Sequence, residues 1–412
     1  MENIENKIPN GENQDTQNSS FFSENVSSSN GLEAKLPYIK FSISQWQQKN
    51  FSDLFTILSN NTHSRAELTN YGTIRNIHYG DVLIKFGNIL DTSQAEIPYL
   101  CENCKYKDEY MQDGDIIIAD TAEDYTAGKC TELFNVGTSK IISGLHTIPC
   151  RPKIKFAQKY LGYYTNSPAY RHQLLSLLQG IKVYSISKTN LSNTHVSYPP
   201  LPEQQKIADF LSLVDQRIEK QRQLVESLKK YKRGLLSAIF DKISSTSTLT
   251  LGEICNITTG KLDANAMVVG GKYRFYTCAR EYFEIDTYAF DTDALLISGN
   301  GANVGYIHHY CGKFNAYQRT YVLDGFQENI MYIYYYLQAN LHPRIEAEKK
   351  AGNTPYIVLS TLSDMLIKLP AKERQNNIAK IFAILDKKIM VENDVLERLN
   401  TQKQGLLQQM FI

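Results

Sequence analysis

Apolar residues recur along two stretches of this chain at the spacing of a helical seam. Ile207, Val214, Leu228 and Leu235 form one seven-residue series, and Leu211, Ile218, Val225 and Ile239 form another. Further on, Ile378, Leu385, Leu399 and Leu406 repeat the first series, and Phe382, Ile389, Leu396 and Met410 the second. Two interleaved series of this kind are the a and d positions of a coiled coil. Each stretch follows a proline, lacks an internal one and has a single late glycine, Gly234 or Gly405. Each therefore reads as one helix of roughly ten turns. Gln221 and Lys232 interrupt the first seam, and Glu392 and Lys403 interrupt the second at matching places. A polar residue on a seam costs stability and penalises slipped registers.

The two stretches are copies of one another. Leu191 to Phe240 lies over Leu362 to Phe411 at a constant offset of 171 residues, with identities that include Pro199/Pro370, Gln204/Gln375, Asp215/Asp386, Lys232/Lys403 and Phe240/Phe411. A repeat this long predicts internal two-fold character. A chain that leaves one globular segment by a helix, builds a second and enters a second helix returns most simply antiparallel. The helices are therefore expected to pair with each other, as a spacer of roughly 55 Å for about 38 residues each. The alternative, two amphipathic helices docked separately on their own domains, would tolerate drift in the offset.

The segments before the helices repeat more weakly. Phe51–Ile57 parallels Leu251–Ile257 at an offset of 200, and Asp115–Ile118 parallels Asp293–Leu296 at 178. The helices are thus conserved in length between the copies, and the globular parts are not. Both segments read as mixed α and β. Asp81–Phe86, Ile116–Ile118 and Thr320–Leu323 are expected as strands between Gly and Asn turns, with a short aromatic helix around Phe156 to Tyr164 and another around Ile330 to Leu337. The first 34 residues, rich in Asn, Ser, Glu and Gln, are expected to be a disordered leader. The expected fold is α+β: a globular domain over 35–198, a helix over 199–247, a second globular domain over 248–369 and a second helix over 370–412.

Composition narrows the function. A formal net charge of +1 excludes a strongly basic nucleic-acid coat protein but leaves room for a reader with clustered basic residues. Seven cysteines, without a secretory signal or a bilayer-length apolar run, imply a soluble, cytoplasmic protein with free thiols and no membrane association. Cys101-Glu102-Asn103-Cys104 is a lone CxxC; with only Cys130 and Cys150 also in this segment there is no second pair, so no metal site is expected. There is no phosphate-binding GxxxxGK[ST] loop and no Asn-Pro-Pro-Tyr or Asp-Pro-Pro-Tyr tetrapeptide to hold a target adenine. Gly299-Asn300-Gly301-Ala302-Asn303-Val304-Gly305 has dinucleotide-loop spacing, but the β-leaning residues after it predict a strand-to-strand loop.

Base edges and phosphates are read by Arg, Lys, Asn, Gln and small polar groups. On this ground the DNA-binding candidates in the first segment are Arg65, Tyr71, Lys85, Asn88, Arg151, Lys153 and Lys155. In the second they are Lys261, Asn300, Asn303, Tyr317, Gln318 and Arg319.

Pro200-Leu201-Pro202-Glu203-Gln204-Gln205-Lys206-Ile207-Ala208, the central Asp215 and Lys232-Arg233-Gly234-Leu235-Leu236 resemble the spacer helices of the specificity (S) subunit of type I restriction-modification systems. Asn70-Tyr71-Gly72 with Ile77–Asp81, and Ser298–Gly305, resemble pieces of its target recognition domains. The second helix departs from the motif at Lys372–Asn377, where Glu373 precedes Gln375 by two residues instead of one. The resemblance implies a non-catalytic, DNA-binding subunit in phage defence and DNA methylation. Two recognition domains on an antiparallel coiled coil would each read half of a split, asymmetric double-stranded target. The partners implied are two methyltransferase (M) subunits and restriction/motor (R) subunits, which would carry S-adenosylmethionine, Mg and ATP. An autonomous methyltransferase and a structural adaptor that binds protein instead of DNA are the alternatives.

Overall fold

The computed structural model describes residues 45–107, 109–348 and 356–411. The leader expected over the first 34 residues lies outside them. Each globular half is closed at its base by its first and last strands. Gln47–Asn50 pairs antiparallel with His195–Tyr198, and Ser247–Thr250 pairs antiparallel with Leu366–Leu369. Each closing strand runs through a proline into a long helix, Leu201–Asp241 or Lys372–Met410.

The halves share one sheet topology. In the first, the order is Phe55–Ile57, Thr147–Pro152, Ile116–Ala119, Cys130–Phe134, Ile89–Asp91. In the second it is Asn256–Thr259, Thr320–Asp324, Phe290–Ser298, Ile307–Ala316, Tyr273–Tyr276, with Phe283–Ile285 added at the edge. In both, neighbouring strands are antiparallel until Ile89–Asp91 and its counterpart Tyr273–Tyr276, which run parallel to their neighbours. The first half also carries a four-stranded sheet of Ile141–Ser143, Arg75–Ile77, Tyr99–Leu100 and Leu68–Thr69. Three of these strands fall where the repeat offset shrinks from 200 to 178, and the fourth where it shrinks to 171. The extra length of the first segment is therefore a built addition.

The Gly299–Gly305 run connects Phe290–Ser298 to Ile307–Ala316, as expected of a strand-to-strand loop. Gly301 and Gly305 take φ of 79° and 80°, which favour glycine. Two expectations need correction. Asp81–Lys85 is a π-helical turn instead of a strand: Phe86 N–H donates to Asp81 O, Val82 and Phe86 are buried four residues apart, and Ile84 is 88% exposed. β-branched residues suggested a strand, but burial at helical spacing and the hold of Arg65 on Asp81 decided the local conformation. The aromatic helices also shift: the first is Tyr160–Thr165, and the second extends over Ile330–Glu348, through Pro343.

The long helices pack on each other over their shared seam. Ile207, Leu211, Val214, Ile218 and Val225 are buried, as are Ile378, Phe382 and Leu399. Leu228, Leu235, Leu385, Ile389, Leu396 and Leu406 are half-buried. Towards each C-terminus burial moves by one residue, to Leu236 and Leu407. A straight helix drifts about 20° per heptad against a 3.5-residue repeat, so four heptads add up to nearly one residue's rotation. The drift turns Leu236 and Phe240 into the core of the second half, beside Tyr332, Tyr336 and Phe382, and Ile243 just past the helix end joins them. At the other end Phe411 stands edge-on to Tyr160 and Tyr164 of the first half. Each half is thus anchored by its own helix at the base and by the tip of the other's.

Candidate nucleic-acid interface

The seam's polar interruptions are where the two halves are fixed to each other. Gln221 donates to the backbone oxygen (2.9 Å) and the carboxylate (2.7 Å) of Glu392, the residue 171 positions on. Flanking this pair, Lys232 meets Asp386 at 2.6 Å and Lys403 meets Asp215 at 2.5 Å. Tyr163 donates to Asp215 and Tyr335 to Asp386, each at 2.9 Å. The lysine ammonium groups lie over these same rings, Lys403 at 5.9 Å from the Tyr163 centroid and Lys232 at 5.3 Å from that of Tyr335. Burial first, and then the adjacent Asp, pushes both tyrosine hydroxyls far up, so they remain donors. Each cluster takes its Tyr from a globular half, its Asp from that half's own helix and its Lys from the other helix. The helix starts are fixed alike: Gln204 donates to Pro199 O and accepts from Ala157 N–H, while Gln375 donates to Pro370 O and accepts from Asn329 N–H.

At the sheet end of the second half, the sequence-predicted residues come together. Asn303 donates to Cys278 O and accepts from Arg280; the Cys278 thiol and the Gly299 N–H both donate to Arg319 O. Gln318 donates to Asp263, and Leu262, next to Lys261, bridges to Tyr317. Asn300 bridges to Tyr356. Lys261, Asn300, Asn303, Tyr317, Gln318 and Arg319 therefore share one rim, and the side chains of Lys261, Gln318 and Arg319 are exposed.

Sequence reasoning passed over a cationic and aromatic wall in the same half. Arg274 is held between Tyr282 (4.3 Å) and Tyr310 (4.6 Å), and Lys313 lies 4.7 Å from the Tyr288 ring. Lys272 and Glu284 line the same open depression. Bonding to the Tyr276 hydroxyl raises the Arg274 pKa further. Period-two alternation in Lys272-Tyr273-Arg274-Phe275-Tyr276 was the available clue: it sends Lys272 and Arg274 to one face and Phe275, fully buried, to the other.

In the first half the candidates disperse. Arg65 forms a two-pronged bond with Asp81 at 2.9 Å on both arms, and Tyr71 is 76% exposed in the loop between strands Leu68–Thr69 and Arg75–Ile77 of the additional sheet. Lys85 donates to Glu96 O, and Asn88 faces a depression shared with Lys129, Arg171 and Lys403. Arg151 is gripped by Asp115 (2.9 and 2.7 Å) and donates to Tyr110 O, while Lys153 donates to Ser52 O. Those two residues and the exposed Lys155 sit where Thr147–Pro152 ends and the chain turns to the base. The repeat marks the rim at the start of that strand, with Asp120, His146 and Tyr79: Ile186 N–H donates to Asp120 O as Ile357 N–H donates to Gly299 O. His146 bonds Asp120 at 3.2 Å and meets Tyr79 edge-on. Arg65 reaches this rim through Asp81, two residues from Tyr79, whose own N–H donates to Leu145 O beside His146.

Cys101 and Cys104 are joined in a disulfide, against the expectation that all thiols are free. The tight CxxC turn brings their Cα atoms to 5.4 Å. Cys130, Cys150 and Cys255 are free and buried. No helix among the described residues is long and apolar enough to cross a membrane.

Two α+β heads of one topology, each with a polar rim and locked to antiparallel helices by duplicated contacts, define a two-headed recognition scaffold. The chain belongs to the family of type I restriction modification DNA specificity domains, whose model matches residues 43–230 and again 245–401. It is similar to the type I restriction enzyme EcoDI specificity subunit of Escherichia coli, 41% identical over 133 residues, which are 32% of this chain and 29% of that protein. It also shares its fold with the S subunit of a type I restriction-modification system from M. genitalium, at a TM-score of 0.55 and 18% identity over 91% of this chain and 98% of that one. A chain from a structure of the type I R-M system, solved for its assembly and conformational transition, matches with a TM-score of 0.55 and 17% identity over 91% and 99%.

Proposed function

We propose that this chain is the non-catalytic, cytoplasmic sequence-reading subunit of a type I restriction-modification complex. Each rim reads one half of a split, asymmetric duplex target. The observation that carries this reading is the duplicated Tyr–Asp–Lys cluster, which ties two unlike heads to one pair of antiparallel helices. The heads differ in their rims and therefore in the bases they read. A two-fold relation between them suits adenines offered on opposite strands. A helix of 41 residues is about 60 Å long, which accommodates half-sites about 34 Å apart, one turn of duplex.

Two methyltransferase subunits would dock on the helices. Leu213 and Ile384, related by the 171-residue offset, are 58% and 70% exposed on the outer faces, an equivalent apolar foothold on each helix. The methyltransferase subunits would bring S-adenosylmethionine and the restriction/motor subunits ATP and Mg. A net charge of +1 suits a reader whose partners supply much of the phosphate contact.

The test is methylome sequencing of cells expressing this chain with its methyltransferase subunit, against cells lacking the chain. A split motif with modified adenines on opposite strands, present only with the chain, is expected. An assembled complex that adds no new motif would refute the reading.

A further inference from the structure

We propose that Cys101, Cys104, His63 and Glu67 form a structural zinc site in the first recognition half when the two cysteines are reduced. Among the described residues, His63, Glu67 and Cys104 are the group whose ligand atoms all lie within 4.8 Å of one another, and Cys101 is bonded to the sulfur of Cys104. Tetrahedral zinc with mixed sulfur, nitrogen and oxygen ligands sets neighbouring donor atoms about 3.5 Å apart, so small side-chain adjustments suffice.

The fold brings the four residues together from two short segments. Strand Leu68–Thr69 pairs with Tyr99–Leu100, so the turn before the first lies beside the turn after the second. Cys101 N–H donates to Glu67 O, Cys104 N–H donates to Cys101 O, and His63 Nε2 bonds Lys105 O at 2.8 Å. The backbone is thus already a CxxC knuckle facing a His-x3-Glu turn. His63 Nδ1 lies 2.8 Å from a Glu67 oxygen, and the other Glu67 oxygen accepts from Ser64, which orients the carboxylate.

The apolar cluster next to the site is small: Ile74, Leu100 and Ile142, with Leu68, Cys104 and Tyr110 packed beside them, while Ile77 and Ile141 of the same strands pack into the main core of the half. A cluster of this size leaves room for a metal clip between the two turns to add stability. The sheet is the addition peculiar to this half: at the 200-residue offset, the places of His63 and Glu67 are taken by Asp263 and Met267. Arg65, on the recognition rim, lies between two of the ligands, so the zinc would hold the loop that presents it. The chemistry balances without a change in zinc oxidation state. A thiol reductant gives two electrons and two protons to the disulfide and becomes a disulfide itself, and zinc then displaces both protons from the cysteine thiols.

The full chain, purified with a thiol reductant and without chelator, would be assayed for zinc by elemental analysis. About one zinc per chain is expected, falling to below about a tenth in Cys101→Ser/Cys104→Ser and substantially in His63→Ala. Cys278→Ser/Cys311→Ser, away from the site, should keep its zinc. Should the site variants fail to fold, cobalt added to reduced wild-type chain is the deciding measurement. A sulfur-to-cobalt charge-transfer band with tetrahedral visible bands supports the site. Metal-free protein whose cobalt spectrum lacks thiolate ligation overturns it.

Discussion

Glu132 shows how one side chain can set a half's response to pH. It is buried on strand Cys130–Phe134 and accepts from Lys159 N–H (2.6 Å) and Gly162 N–H (2.8 Å) at the start of helix Tyr160–Thr165. Burial pushes its carboxyl from 4.5 up to about 8, against the pull of those donors. A carboxyl raised by folding contributes stability that is whole below its unfolded pKa and is lost as pH rises through the folded one. The melting temperature of Glu132→Gln, which stays neutral, should therefore gain on wild type between pH 4.5 and about 8. A pH-independent difference would show that Glu132 ionises freely. Gly162 is under a different constraint: a Cβ there would lie 2.2 Å from Asn88 O and 2.7 Å from the Ile89 side chain. Gly162→Ala should destabilise the first half by about 3 kcal/mol or more, measurable by denaturant unfolding. Neither role was visible in the sequence, because both depend on which strand lies against the helix.

At the scale of elements, the helix pair makes its own predictions. Lys232 and Asp386 are only partly exposed, and Asp386 also accepts from Tyr335. Asp386→Ala leaves two donors without their partner and should cost about 2 kcal/mol, and Asp215→Ala a similar amount by the internal symmetry. Unequal losses would mean that the two clusters bear different loads. Seven residues inserted into both helices beside Gln221 and Glu392 preserve the seam phase and add about 10 Å, or about three base pairs, to the separation of the heads. The gap in the methylated motif should lengthen accordingly; an unchanged gap in a folded protein would remove the spacer role. The seam was legible because heptad spacing survives in one dimension. The one-residue shift to Leu236 and Leu407 could be anticipated only once the helices were known to run straight into the opposite halves.

For the whole molecule, the proposed docking of methyltransferase subunits on the two outer helix faces makes its own prediction. Leu213→Glu or Ile384→Glu should each remove one of the two proposed subunits, and the pair both, as read by the mass of the complex. Loss of both subunits from either single change would mean that the faces are not independent. The two-headed architecture follows from the repeat, but the rims do not. Six candidates in the second half converge because they sit at consecutive strand ends, whereas Arg151, Lys153 and Lys155 share a basic run whose strand points to the base.

Periodic and repeated features could be read directly from the chain: two heptad helices, their pairing, a glycine loop between strands and a duplicated α+β plan. Such patterns depend on neighbours at fixed spacing along the backbone, which a sequence records. The tertiary structure alone decided which polar groups meet across distance. It set Tyr163 and Tyr335 against the helix carboxylates, put Arg274 between two tyrosines, folded Asp81–Lys85 into a π turn and carried His63 and Glu67 to the CxxC turn. Those encounters are fixed by strand order and burial, which join residues tens of positions apart and leave no periodic trace.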